Sequence, residues 1–183
     1  SSRDGGKVKL WNAADLQLRQ TLEGGRGAAY CVAFSPDGKT LVSGSGKSIA
    51  LWNVADGHAL TAPFEADSAV VYDLAYSPDG KLLASAGQDG LRFWDAATRQ
   101  ALSPMLRGEQ INAIAFSPNG LFLAAAGHDR TVTVWDVANH KQIGDPLARH
   151  DDYVEAVTFD GDGTFIASGG HDGKVLLWKI FFR

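Results

Sequence analysis

The stretch Arg149-His150-Asp151-Asp152-Tyr153-Val154 leads into Phe159-Asp160-Gly161-Asp162-Gly163, then Phe165-Ile166-Ala167-Ser168-Gly169-Gly170-His171-Asp172-Gly173, and closes on Val175-Leu176-Leu177-Trp178. An apolar strand, an Asp/Gly turn, a small-residue strand, a Gly-rich turn and a third strand ending in Trp follow one another. Glycine accepts a positive φ and the proline of the upstream copies presets its own, so the turns are set by chemistry and not by polarity alone. The same order recurs upstream three times, after a half copy. The five Trp residues stand at 11, 52, 94, 135 and 178, in steps of 41, 42, 41 and 43. The turn keeps pace as Phe34-Ser35-Pro36-Asp37-Gly38, Tyr76-Ser77-Pro78-Asp79-Gly80 and Phe116-Ser117-Pro118-Asn119-Gly120.

Short strands at a period of roughly 40–45 residues mark a β-propeller array. The first three strands of each unit are apolar or small, as expected when neighbours cover both faces. The outer segments are polar, as an exposed sheet edge should be. The expectation is an all-β chain: a β-propeller of four-stranded antiparallel blades, about four and a half repeats of a seven-bladed ring. Residues 1–23 form the half repeat, and 24–64, 65–106, 107–147 and 148–183 form repeats one to four of a single domain. Outer strands are expected at Leu16 to Leu22, Ala59 to Thr61, Ala101 to Ser103 and Gln142 to Ile143. This falls short of the roughly 28 strands of a seven-bladed ring. Either upstream blades lie outside this sequence, or rings close between copies as a homo-oligomer.

The formal charge of −4, with no basic run, argues against a nucleic-acid stripe or a polybasic membrane patch. Cys31 is the sole cysteine, so no disulfide forms within the chain, and a reducing, cytoplasmic setting is expected. Ser1 to Lys9 is polar and charged, unlike a signal peptide. No apolar run approaches the roughly 18 residues of a membrane span.

Trp94-Asp95 and Trp135-Asp136 carry a Trp-Asp dipeptide, whereas Trp11-Asn12, Trp52-Asn53 and Trp178-Lys179 depart from it. With the Trp grid and the Ser-Pro-Asp-Gly turns, the chain resembles the WD-repeat (Trp-Asp repeat) family over essentially its whole length. The outer segments Ala62-Pro63-Phe64, Ser103-Pro104-Met105-Leu106 and Asp145-Pro146-Leu147 look like those of bacterial WD-repeat arrays. Such arrays often sit as sensor domains behind signalling NTPases or kinases. The resemblance also implies a buried His-Ser-Asp-Trp hydrogen-bond chain that staples each blade. His150, Ser168, Asp172 and Trp178 supply it in full in repeat four. Repeat three keeps Asp129 and Trp135 but has Arg107 and Ala125 at the His and Ser places. Repeat two keeps Ser85, Asp89 and Trp94 with Asp67 for His, and repeat one keeps Ser43 and Trp52 with Gly25 and Gly46.

The His, Ser and Asp residues could suggest a hydrolase triad, but a nucleophile needs an exposed pocket and an oxyanion site. The staple accounts for them better, so no catalytic residue and no cofactor are expected. His128, His150 and His171 each precede an Asp, yet His128 and His171 sit in equivalent turns of different repeats, without metal-site spacing. Gly44-Ser45-Gly46-Lys47-Ser48 ends like a phosphate loop, but Leu41 stands where the loop needs glycine. Asp160-Gly161-Asp162-Gly163 lacks the Glu that completes a calcium loop. A non-catalytic protein- or peptide-binding scaffold remains, its binding residues on loops carried by packed strands. Tyr and Arg dominate binding hot spots. Tyr30, Tyr72, Arg107, Arg130 and Tyr153 are therefore the candidate partner-binding residues, with Arg26 and Arg149 beside them and Arg130 and Tyr153 foremost.

Overall fold

The computed structural model describes residues 7–23, 28–66, 69–106 and 108–180. Arg107, and with it Gly25, Arg26 and Asp67, lies outside the described residues. The described chain is a succession of antiparallel meanders. The half repeat pairs β1 (Val8–Trp11) with β2 (Leu18–Leu22). Repeat one is β3 (Ala29–Phe34), β4 (Thr40–Ser45), β5 (Ser48–Asn53) and β6 (Phe64–Glu65) in that order. Repeat two is β7 (Val71–Tyr76), β8 (Leu82–Gly87) and β9 (Gly90–Asp95). Repeat three is β10 (Ile111–Phe116), β11 (Phe122–Gly127), β12 (Thr131–Asp136) and β13 (Lys141–Ala148). Repeat four is β14 (Val154–Phe159), β15 (Phe165–Gly170) and β16 (Val175–Lys179). No helix among the described residues is long and apolar enough to cross a membrane.

Four apolar clusters lie one at each junction between neighbouring sheets, which is why each repeat needs the next to bury its faces. Val8, Leu10 and Leu22 pack on Leu41 and Trp52; Ile49 and Leu51 on Val71, Leu74 and Trp94. Leu91 and Phe93 pack on Ile111, Ile114 and Leu123; Val132 and Val134 on Val154 and Ile166. Trp52 and Trp94 are buried in these layers, whereas Trp11 is 57% exposed.

The turns after the first strands are built alike. Ser35 Oγ donates to Asp37 Oδ1 at 2.6 Å, the Lys39 N–H donates to the same oxygen at 3.0 Å, and the Thr40 N–H donates to Ser35 Oγ at 2.9 Å. Ser77 with Asp79 and Ser117 with Asn119 repeat the pattern. Repeat four has no Ser at this place, and there Asp160 Oδ1 itself accepts the Phe165 N–H at 2.8 Å. Successive turns also touch: a Cβ at Gly80 would lie 3.6 Å from Pro36, one at Gly120 3.5 Å from Pro78, and one at Gly163 3.4 Å from Pro118. In a meander, the turns after first and third strands share one end of the sheets. The turns after second strands and the connections into first strands share the other, called the rim here.

The outer strands differ from expectation. The half repeat's starts at Leu18, because Leu16 sits in the left-handed region (φ 57°). In repeat three the outer strand is longer, running from Lys141 to Ala148 and crossing Pro146. Gly144, at φ 66°, absorbs a register shift between Val132 and Val134 there. Thr61 and Ser103 hold the equivalent place in repeats one and two, and side chains with a Cβ resist that conformation. The outer segments accordingly break up. Repeat one keeps a bridge from Trp52 to Ala59 and the two-residue β6, not a strand at Ala59 to Thr61. Repeat two keeps bridges from Trp94 to Ala101 and from Leu91 to Leu106, not a strand at Ala101 to Ser103. The Thr61 and Ser103 hydroxyls are buried there with no protein hydrogen-bond partner.

Candidate partner-binding rim

Each first strand slips by one residue against the second near its start, between Ala29 and Cys31, Val71 and Asp73, Ile111 and Ala113, and Val154 and Ala156. The extra residues are Tyr30, Tyr72, Asn112 and Glu155. A bulge leaves its extra residue outside the ladder and re-aims its side chain. The four occupy equivalent positions at the rim and link in pairs. The Tyr30 and Tyr72 rings meet edge to face at 6.1 Å, and Asn112 Nδ2 donates to Glu155 Oε1 at 3.0 Å.

The row continues onto the loops of repeats three and four. Tyr153, immediately before β14, is 41% exposed and stacks flat on His128, centroids 4.0 Å apart at 4°. Gln110 Nε2 lies 2.9 Å from His128 Nε2 and donates to Asn112 Oδ1 at 2.9 Å. His171 Nε2 lies 3.3 Å from Glu155 Oε1. Arg130 is exposed in the turn beside His128 and is held at φ 66°. Of the candidate residues, Tyr153 and Arg130 are thus placed on one patch and Tyr30 and Tyr72 on another. His128, Gln110, Asn112, Glu155 and His171 join the first patch although none of them was among the residues expected to bind a partner. Their one sequence signal was place: Asn112 and Glu155 stand on the repeat grid where Tyr30 and Tyr72 stand.

Beneath the rim, contacts cross from sheet to sheet. Asp73 Oδ2 accepts the Ile114 N–H at 2.8 Å, and Asn112 Nδ2 donates to Val154 O at 3.1 Å. Burial pushes the Asp73 carboxyl above its usual range. Burial, with the Asp73 charge adding, pushes the Cys31 thiol up to about 12. A thiol so raised is inert as a nucleophile.

The His150 ring joins the rim to the core of repeat four. His150 Nε2 lies 2.8 Å from Ser168 Oγ, its Nδ1 3.0 Å from Asp172 Oδ2, and the Trp178 indole N–H donates to Ser168 Oγ at 2.9 Å. Asp172 also accepts the N–H groups of Asp151 at 2.9 Å and Lys174 at 3.0 Å. Burial works to raise the Asp172 pKa, but those two N–H groups and His150 outweigh it and hold it at about 2. A Cβ at Gly170 would lie 2.8 Å from His150 Nδ1 and 3.0 Å from Tyr153 O, so this close approach requires glycine. The order Asp-His-Ser matches a hydrolase triad, yet the His150 side chain is 0% exposed and Ser168 2%. No substrate carbonyl can reach that hydroxyl.

Residues 16–53, 58–95, 102–136 and 142–179 each match the WD domain, G-beta repeat. The chain belongs to the WD-repeat family. WD repeats indicate a protein-interaction scaffold and are generally non-catalytic. The chain is also 45% identical over 49 residues to the Intraflagellar transport protein 122 homolog of Danio rerio, a match that covers 26% of this chain and 4% of that protein.

Within the WD-repeat frame Trp52, Trp94 and Trp178 bond the Ser of their second strand, and Trp135 does not. Trp52 donates to Ser43 Oγ at 2.9 Å and Trp94 to Ser85 Oγ at 2.8 Å. In repeat three Ala125 cannot accept, and Trp135 turns to Thr133 Oγ1, two residues back on its own strand, at 3.0 Å. Asp129, expected as a staple member, stays exposed and accepts the Thr131 N–H at 3.0 Å and hydroxyl at 2.8 Å. Among the described residues no group of three His, Cys, Asp or Glu side chains could hold a metal ion.

Proposed function

We propose that this chain is a non-catalytic protein- or peptide-binding scaffold whose partner docks on the rim. The observation that carries the reading is the register slip on all four first strands, which sets Tyr30, Tyr72, Asn112 and Glu155 in one row. Exposed Tyr153 and Arg130 supply the side-chain types that anchor interfaces. The row is rigid because each member is tied to a neighbour, so little ordering entropy is lost when a partner docks.

The chain serves as the sensor or interaction part of a larger signalling protein of bacterial type, a reading supported by the proline-bearing outer segments. The lone Cys31 thiol supports a reducing, cytoplasmic setting. The charge of −4 supports a protein partner over nucleic acid or an anionic membrane. A second reading, assembly between copies, is favoured by two apolar faces. Val175 and Leu177 on β16 are 77% and 73% exposed, and Tyr30, Val32 and Phe34 on β3 are 49%, 52% and 54% exposed.

The test of the rim is the double substitution Arg130→Ala with Tyr153→Ala, set against a partner retained by the wild-type protein. Binding should fall by about 2 kcal/mol or more, the scale of a hot spot. Undiminished binding by the folded double variant would remove the rim as the docking site.

A further inference from the structure

At the end of the sheets opposite the rim, the junctions between repeats are not equally filled. At the junction of repeats two and three, Phe93 is 0% exposed and Val137 5% exposed. His140 stacks on Phe93 there, centroids 4.9 Å apart at 22°. The equivalent places at the junction of repeats one and two follow from the Trp grid. Leu51 precedes Trp52 as Phe93 precedes Trp94, Ala96 follows Trp94 as Val137 follows Trp135, and Arg99 stands where His140 does. The backbones correspond, since Arg99 and His140 both adopt the left-handed region, at φ 63° and 52°. Three substitutions at one place thus remove an aromatic ring, two methyl groups and a stacking imidazole.

What they leave is a groove of about 440 Å³, with Leu51, Leu60, Tyr76, Ala96, Ala97 and Arg99 among its lining residues. That volume falls in the range of ligand-binding clefts. The filled junction shows what such a space accepts when the chain supplies it: an aromatic ring capped by a flat polar group. We propose that this groove binds an aromatic side chain of a peptide partner, seated against Leu51 and Ala96 with the Arg99 guanidinium over the ring. Arginine stacks on aromatic faces and keeps its charge, so it serves here as His140 serves the ring of Phe93. Asp37 and Asp79 also line the groove. The Ser35 and Ser77 hydroxyls hold their carboxylates below the usual range, so both are charged near neutral pH. Neutral or basic residues therefore flank the aromatic one in the peptide that fits.

The site is independent of the rim and is tested separately. The probe is N-acetylphenylalanine amide, titrated into the full chain while backbone amide resonances are followed. Saturable shifts at Leu60, Tyr76, Ala96 and Ala97 are expected, with none at Tyr153 or Arg130. The variant Leu51→Phe with Ala96→Val copies the filled junction and should weaken the shifts by about tenfold in apparent affinity. If that variant does not fold, Ala97→Phe, at an exposed position on the groove's mouth, does the same without touching the core. No saturable shift in the wild-type protein, or shifts that persist in a folded filled variant, would overturn the proposal.

Discussion

Ser168 shows how much one small side chain holds. Its hydroxyl serves both the His150 ring and the Trp178 indole, and a buried partner left unpaired costs about 1–3 kcal/mol. Repeat three shows the alternative, because Thr133 takes the indole of Trp135 once Ala125 has removed the usual acceptor. The acid response of the staple rests on Asp172. Its folded pKa, about 2, lies below the ordinary value of roughly 3.9. A lowered carboxylate contributes stability that is fully present above its ordinary pKa and is lost as pH falls through the folded value. Denaturant titrations of the wild-type protein should therefore show stability falling between about pH 4 and pH 2. Asp172→Asn should be less stable at neutral pH and flatter across that window. Parallel slopes for the two proteins would assign the acid sensitivity elsewhere.

At the scale of the element, the outer strands show a single backbone angle deciding whether a sheet gains its fourth member. Gly144 takes φ 66° and β13 runs on, whereas the buried hydroxyls of Thr61 and Ser103 stand at breaks. Ser103→Gly should let repeat two close its outer strand in the manner of β13. It would also remove a buried hydroxyl that has no protein partner. Hydrogen exchange checks this: amide protection from Leu102 to Leu106 should rise in the variant. Unchanged protection would mean that Pro104, not Ser103, breaks the strand. The first strands carry the complementary lesson, since a slip of one residue, repeated four times, sets one side chain of each strand outside the ladder at the rim.

At the scale of the whole molecule, the sheets depend on one another through four junction clusters, and the faces at either end of the array remain apolar. If copies close against each other, light scattering should find a sharp species at an integer multiple of 19.5 kDa. A monodisperse monomer would dismiss that reading. The repeat grid and the turns were legible from residue order, because each rests on contacts within about 40 residues that recur in register, and the staple of repeat four followed from the resemblance to the WD-repeat family. Tyr153 and Arg130 were legible as residue types. Their company was not: His128 stacks on Tyr153 across repeats, and nothing in its local pattern distinguishes that from a solvated turn. The half-empty junction was equally hidden, since Leu51, Ala96 and Arg99 are each unremarkable alone. The sequence by itself determined that this is an array of WD-repeat sheets, because period and turn chemistry act locally. Only the tertiary structure decided which side chains meet on the rim and which junction stays open, because both depend on how one repeat's residues pack against the next.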